Sequence, residues 1–171
     1  MKAEILTYAL VAGLAIAVLY AGFTDVRHRR ISNVLTATIA LASPLFWLAA
    51  DLSFWPSVAI QIGMAAATFL LGAVLFRLGQ VGGGDVKLLS AIALCMAPKW
   101  YLYLILFTGL FNGVLTVTVA ARHRRARRAG KAKGRAQVPY AVSVAAAMML
   151  VLSLQYAPMI DALLVNQTAA S

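Results

Sequence analysis

Charge is scarce in this chain, and negative charge scarcest of all. Asp, Glu, Lys and Arg make up 12% of the 171 residues and only five are acidic, against about 25% charged residues in a typical soluble domain. That shortage, with 63% hydrophobic residues, excludes a fold built to dissolve in water. A single cysteine, Cys95, excludes an internal disulfide and any zinc site made from paired cysteines. The two histidines, His28 and His123, both sit in arginine-rich stretches, so a zinc site or a Ser-His-Asp triad is short of partners. No convincing internal repeat is present, which argues against an inverted-repeat transporter. No stretch between the apolar runs is long enough for a separate soluble domain.

What the chain has is apolar length. Five runs, Ile5 to Gly22, Val34 to Ala50, Leu52 to Phe76, Trp100 to Ala121 and Ala136 to Ile160, each reach the about 17 to 25 residues that cross a bilayer as a helix. The first exceeds the roughly 7 to 15 apolar residues of a cleavable signal core, and its one Lys is offset by Glu4, so it reads as a retained span. A sixth run, Leu88 to Pro98, is short. Charge asymmetry decides its status. With six spans and the N-terminus outside, thirteen of the fifteen Lys and Arg fall in cytoplasmic loops, leaving only Lys2 and Lys99 outside. Five spans would move the basic stretch Arg122 to Arg135 outside and reverse the positive-inside bias. The expected architecture is therefore an all-α integral membrane bundle of about six helices, with approximate spans 5–23, 34–50, 55–77, 86–98, 100–121 and 137–158. Both termini are outside, residues 1–171 form one domain, and 122–135 form a basic cytoplasmic loop, flexible or surface-bound. The net charge of +10 would suggest nucleic acid in a soluble protein. Here it is explained by topology and attraction to anionic lipid, and no nucleic-acid partner is expected.

The chemistry must come from few groups. Of the five acids, Glu4, Asp51 and Asp161 fall at the outer ends or loops, whereas Asp25 and Asp85 share the cytoplasmic side. Asp25 follows the first apolar run and could be an interfacial charge paired with Arg29, with Ser32 and Asn33 free to cap the second helix. Asp85 closes Gly82-Gly83-Gly84-Asp85 and opens the short run. Three consecutive glycines mark irregular backbone, which survives at membrane depth only where it is buried in protein or lines a wet cavity. A carboxylate carried there costs about 2.5 to 3.5 kcal/mol on insertion scales, so it is a functional candidate, with an N-cap role as the plain alternative. Two close carboxylates cannot both ionise and share one proton. The ionised member activates water while the protonated member hydrogen-bonds the scissile carbonyl, chemistry that needs no metal and no cofactor. Residue spacing leaves open which aspartate holds the proton. The glycine run lacks the Gly-Lys-Ser/Thr ending of a phosphate-binding loop.

These residues resemble the type IV prepilin peptidases, and within them the short Flp/Tad-type members. The matching motifs are Asp25 with Arg29, Arg30, Ile31, Ser32 and Asn33, then Gly82, Gly84, Asp85, Val86, Lys87 and Leu88, then Pro139, Tyr140 and Ala141 at the start of the last helix. The departures are Ser32 where proline is usual, touching the stiffness of the loop before helix two, and Ala141 where glycine is usual, touching how closely the last helix packs. The resemblance implies an aspartic endopeptidase of the bacterial inner membrane. It would cut prepilins on the cytoplasmic side, after a short basic leader and before an apolar helix. Asp25 and Asp85 would be catalytic, and Gly82, Gly84, Lys87, Asn33, Pro139 and Tyr140 supporting. The longer members also methylate the new N-terminus and carry a cysteine-rich cytoplasmic insertion. This chain has no such insertion, so peptidase activity without methyl transfer is expected. The competing readings are a preflagellin-type or other Gly-x-Gly-Asp protease, or a non-enzymatic membrane component of a secretion or pilus assembly.

Overall fold

The computed structural model describes residues 2–129 and 140–169, with side chains for 5–129 and 140–157. All regular structure among the described residues is helical. In chain order it comprises α1 (Lys2–His28), α2 (Asn33–Ala49), a short turn at Phe54–Val58, α3 (Ala59–Arg77), α4 (Gly83–Cys95), α5 (Pro98–Arg128) and α6 (Tyr140–Ala169). Four segments are long and apolar enough to cross a membrane: Ile5–His28, Phe54–Arg77, Pro98–Arg128 and Tyr140–Ala157. The protein is a multi-pass helical membrane protein.

Three helices extend beyond the expected apolar spans. The first helix does not stop near residue 23 but continues to His28, placing Asp25 inside its last turns. Nothing between Gly22 and His28 breaks a helix, and Arg27 and His28 suit the negative end of its dipole. It ends where Arg29 turns to φ +53. The fourth helix starts earlier than residue 86, at Gly83, and its 13 residues extend about 20 Å. The basic stretch is not a loop from residue 122: α5 runs on through Arg128, because Arg and Ala are good helix formers and basic residues stabilise a helix C-terminus. Its 31 residues measure about 46 Å against a hydrocarbon core of about 30 Å, so an arginine-bearing end projects beyond the apolar layer.

The short α4 is the centre of the bundle. It packs between α2 and α3, while α1 packs on α2 and α6 and α5 lies against α6. Seven of its 13 residues are buried, with Leu88 and Ile92 wholly enclosed. They share the core with Val18 of α1, Leu104 of α5 and Val144, Met148 and Val151 of α6. Among lipid tails burial of apolar surface no longer drives helices together, so close van der Waals contact and interhelical hydrogen bonds must. Both are visible. A Cβ on Gly72 of α3 would lie 2.6 Å from Cγ1 of Val86, so glycine is what lets α3 and α4 meet. The Trp47 indole N–H donates to the Leu94 carbonyl at 2.8 Å, occupying one of the carbonyls that the end of α4 leaves free. The Tyr101 hydroxyl donates to the Leu89 carbonyl at 3.3 Å and is 2.9 Å from Thr68 Oγ1.

Gly72→Ala should therefore overpack the α3–α4 contact and cost about 1 to 3 kcal/mol, since the β-branched Val86 has little rotamer freedom to yield. In thermal unfolding of detergent-solubilised protein the midpoint falls, and adding Val86→Ala recovers part of the loss. An unchanged midpoint for Gly72→Ala alone would show that the two helices are not in contact there.

Candidate active site

Gly82 holds the N-cap position of α4 with φ −73 and ψ 142, making Asp85 the third helical residue rather than the cap. The Asp85 backbone N–H donates to the Gly82 carbonyl at 3.1 Å. Each glycine before it admits a different neighbour. A Cβ on Gly82 would come within 2.6 Å of Asp85 Oδ2, one on Gly84 within 3.1 Å of Ile31 Cβ, and one on Gly83 within 3.3 Å of the Phe76 ring. The run is thus a seat: the Asp85 carboxylate folds back over Gly82 while Ile31 and Phe76 cover its flanks. Asp85 is 8% exposed, and its Oδ1 has no hydrogen-bond partner among the described residues. An orphaned buried carboxylate oxygen is rare in folded proteins and marks a group kept for something other than packing.

Asp25 is half-buried and held differently. Its Oδ2 accepts the backbone N–H of Ala141 at 3.0 Å, across 116 residues of chain. Ala141 is the second residue of α6, so the carboxylate takes one of the amides that a helix N-terminus leaves unpaired. Arg29 bonds Asp25 through its backbone, N–H to carbonyl at 2.8 Å, and no ion pair joins the two among the described residues. This contact depends on Gly22, one turn earlier on α1. A Cβ there would meet Ala145 Cβ at 3.2 Å and the Ala141 carbonyl at 3.4 Å, so the glycine brings α1 and α6 close enough for Asp25 to reach the helix end.

The two carboxylates interact. Asp25 places its charge near the buried Asp85, and like charges at close range disfavour double ionisation. Tyr140, first residue of α6, is half-buried and lies near Asp85. Lys87 turns away from the pair: its ammonium donates to Asn33 Oδ1 at 2.9 Å, tying the start of α4 to the start of α2. Asn33 is therefore a strut, and Ser32, though at the N-cap position of α2, makes no side-chain capping bond. Its φ of −65 is one that proline would also adopt, so the serine keeps the backbone shape without the ring. Ala141 is wholly buried, so the methyl group at that position does not hold α6 away. Pro139 lies outside the described residues. The family model described as the type IV leader peptidase family matches residues 12–117, more than half of the chain and both aspartates.

The chain belongs to the type IV leader peptidase family.

No curated protein and no solved structure matches it. Family membership makes this a membrane-embedded protease with leader peptidase activity. Sequence reading brought forward Asp25, Asp85, Gly82, Gly84, Lys87, Asn33 and Tyr140, and the structure gathers them at one end of the bundle. It did not bring forward the Ala141 amide, the packing role of Gly22 or the cover given by Ile31 and Phe76. A backbone amide has no side-chain signature. Gly22, one turn before the first aspartate, was the one available hint. Among the described residues no group of three His, Cys, Asp or Glu is placed to hold a metal ion.

Proposed function

We propose that this leader peptidase is a two-aspartate endopeptidase of the short Flp/Tad kind. It removes the basic leader of prepilins at the cytoplasmic face of the bacterial inner membrane. The observation that carries this reading is the orphaned, buried Asp85 oxygen beside a second carboxylate.

The two environments divide the labour. Asp85, desolvated and facing the charge of Asp25, holds the shared proton. Asp25, fixed by the Ala141 amide, acts as base. It takes a proton from water as the oxygen attacks the scissile carbonyl, and the Asp85 hydroxyl donates a hydrogen bond to the developing oxyanion. Collapse of the tetrahedral intermediate breaks the C–N bond, and the proton on Asp25 passes to the leaving amine. The Lys87–Asn33 strut and the Gly22 contact keep the two carboxylates in register, because helices that carry them separately would otherwise be free to slide. Water reaches the pair from the end of the bundle, where Asp25 remains half exposed.

The topology proposed with this mechanism has six crossings, both termini outside. Its fourth crossing is α4, too short to face lipid alone but enclosed by α2 and α3. Thirteen of the fifteen Lys and Arg then lie on the aspartate side, in keeping with the positive-inside bias. The basic end of α5 would rest on anionic head groups. A basic leader is repelled by Arg27, Arg29 and Arg30, so its attraction comes from the dyad, the lipid surface or backbone contacts. Without a cysteine-rich insertion, no N-methylation accompanies cleavage.

Co-expression of a tagged Flp-type prepilin with the native chain, Asp25→Asn and Asp85→Asn tests the reading on a gel. The native chain should shorten the precursor, and either Asn variant, present in the membrane at normal level, should lower cleavage at least about 1000-fold, as expected when an acid–base group is lost from a coupled pair. Normal cleavage by either variant would make that aspartate structural. Incubation with S-adenosylmethionine should leave the new N-terminus unmethylated, and a chelator should leave cleavage unchanged.

A further inference from the structure

At the end of the bundle away from the aspartates lies a partly open cavity of about 140 Å³, formed where α1, α2, α3, α4 and α6 converge. Thr7 lines it, 18 residues before Asp25 on α1 and so about 27 Å away along the axis. Most of the lining is apolar, and no Asp, Glu, Lys or Arg contributes to it. Thr7, Gln61, Gln155 and Tyr156 are its polar exceptions, and an oxygen of one of them is left without a partner among the described residues. Gln61, in the first turn of α3, lines the cavity at 4% exposure, and its Oε1 has no hydrogen-bond partner among the described residues.

No donor of the wall is bonded to this oxygen, although the Gln155 amide and the Tyr156 hydroxyl, 3.5 Å apart, also line the cavity. The Trp47 indole N–H is committed to the Leu94 carbonyl at 2.8 Å, and the Cys95 thiol faces the Ile39 carbonyl at 3.6 Å. The Thr7 hydroxyl donates to the Ala49 carbonyl at 3.2 Å. A buried amide oxygen without a donor loses its hydration and receives nothing in return. A neutral molecule inside the cavity can supply the donor, since no charged side chain lines it. The volume of about 140 Å³ admits a few molecules of about 30 Å³ each.

We propose that this cavity is a hydration site, holding a small cluster of ordered water whose O–H groups donate to Gln61 Oε1. The site is separate from the peptidase centre. Its waters belong to the fold, joining the start of α3 to the ends of α2 and α4 beside the direct contacts of Trp47 and Cys95.

In isotopically labelled protein in nanodiscs, magnetisation transfer from water to the Gln61 side-chain amide should appear as a cross peak. Gln61→Met, of similar length but without the acceptor, should lower the thermal midpoint by about 2 to 4 °C, the shift that a loss near 1 kcal/mol produces in a chain of this size. A resolved Gln61 amide without a water cross peak overturns the proposal. So does a Gln61→Met midpoint that is unchanged or raised, as removal of an orphaned polar group from a dry cavity would give. If the Gln61 amide is not resolved, the midpoint alone decides.

Discussion

A carboxyl group kept out of water and close to a second one is costly to hold, and the rest of this bundle is arranged around holding it. Asp85 has no cation against it among the described residues; its neighbours are a glycine, a second carboxylate and a tyrosine. Such a group stays put only if the surrounding packing over-determines its position. The enclosure of α4 by α2 and α3, the glycine contact between Gly72 and Val86 and the cover of Ile31 and Phe76 over Gly84 and Gly83 together provide that.

The pair of aspartates is asymmetric because the helices that carry them meet the bundle differently. Asp85 rides on a short helix buried on most sides. Asp25 rides near the end of a long helix and is caught by the start of another. Two acids of one type thereby acquire separate environments, the condition under which one can hold a proton while the other accepts one. Burial is graded from Asp85 to the half-exposed Asp25, as the proposed hydrolysis requires.

At the other end, the same demand for satisfied polar groups takes another form. Gln61 is buried with an empty acceptor beside a cavity, just as Asp85 is buried with an empty acceptor beside a carboxylate. In a chain this apolar, a buried oxygen without a donor is costly, and these two lie next to a cavity and a second carboxylate, respectively.

Much of this was legible in the residues themselves. Apolar run lengths and the shortage of charge determined a helical membrane protein, because lipid offers the backbone no hydrogen bonds and leaves few solutions. The scarcity of acids singled out Asp25 and Asp85, and three glycines in a row marked irregular backbone before the second. Where helices end was less legible. The charges of Arg27, His28 and Arg122 to Arg128 suggest loops by composition, yet helix C-termini welcome them. Only the tertiary structure could decide that residues 60 apart interact, that the Ala141 amide holds Asp25 from 116 residues away and that Gly22 makes this possible. Those facts depend on how closely helices approach one another. That approach depends on volume matched across several chain segments at once, which no local pattern records.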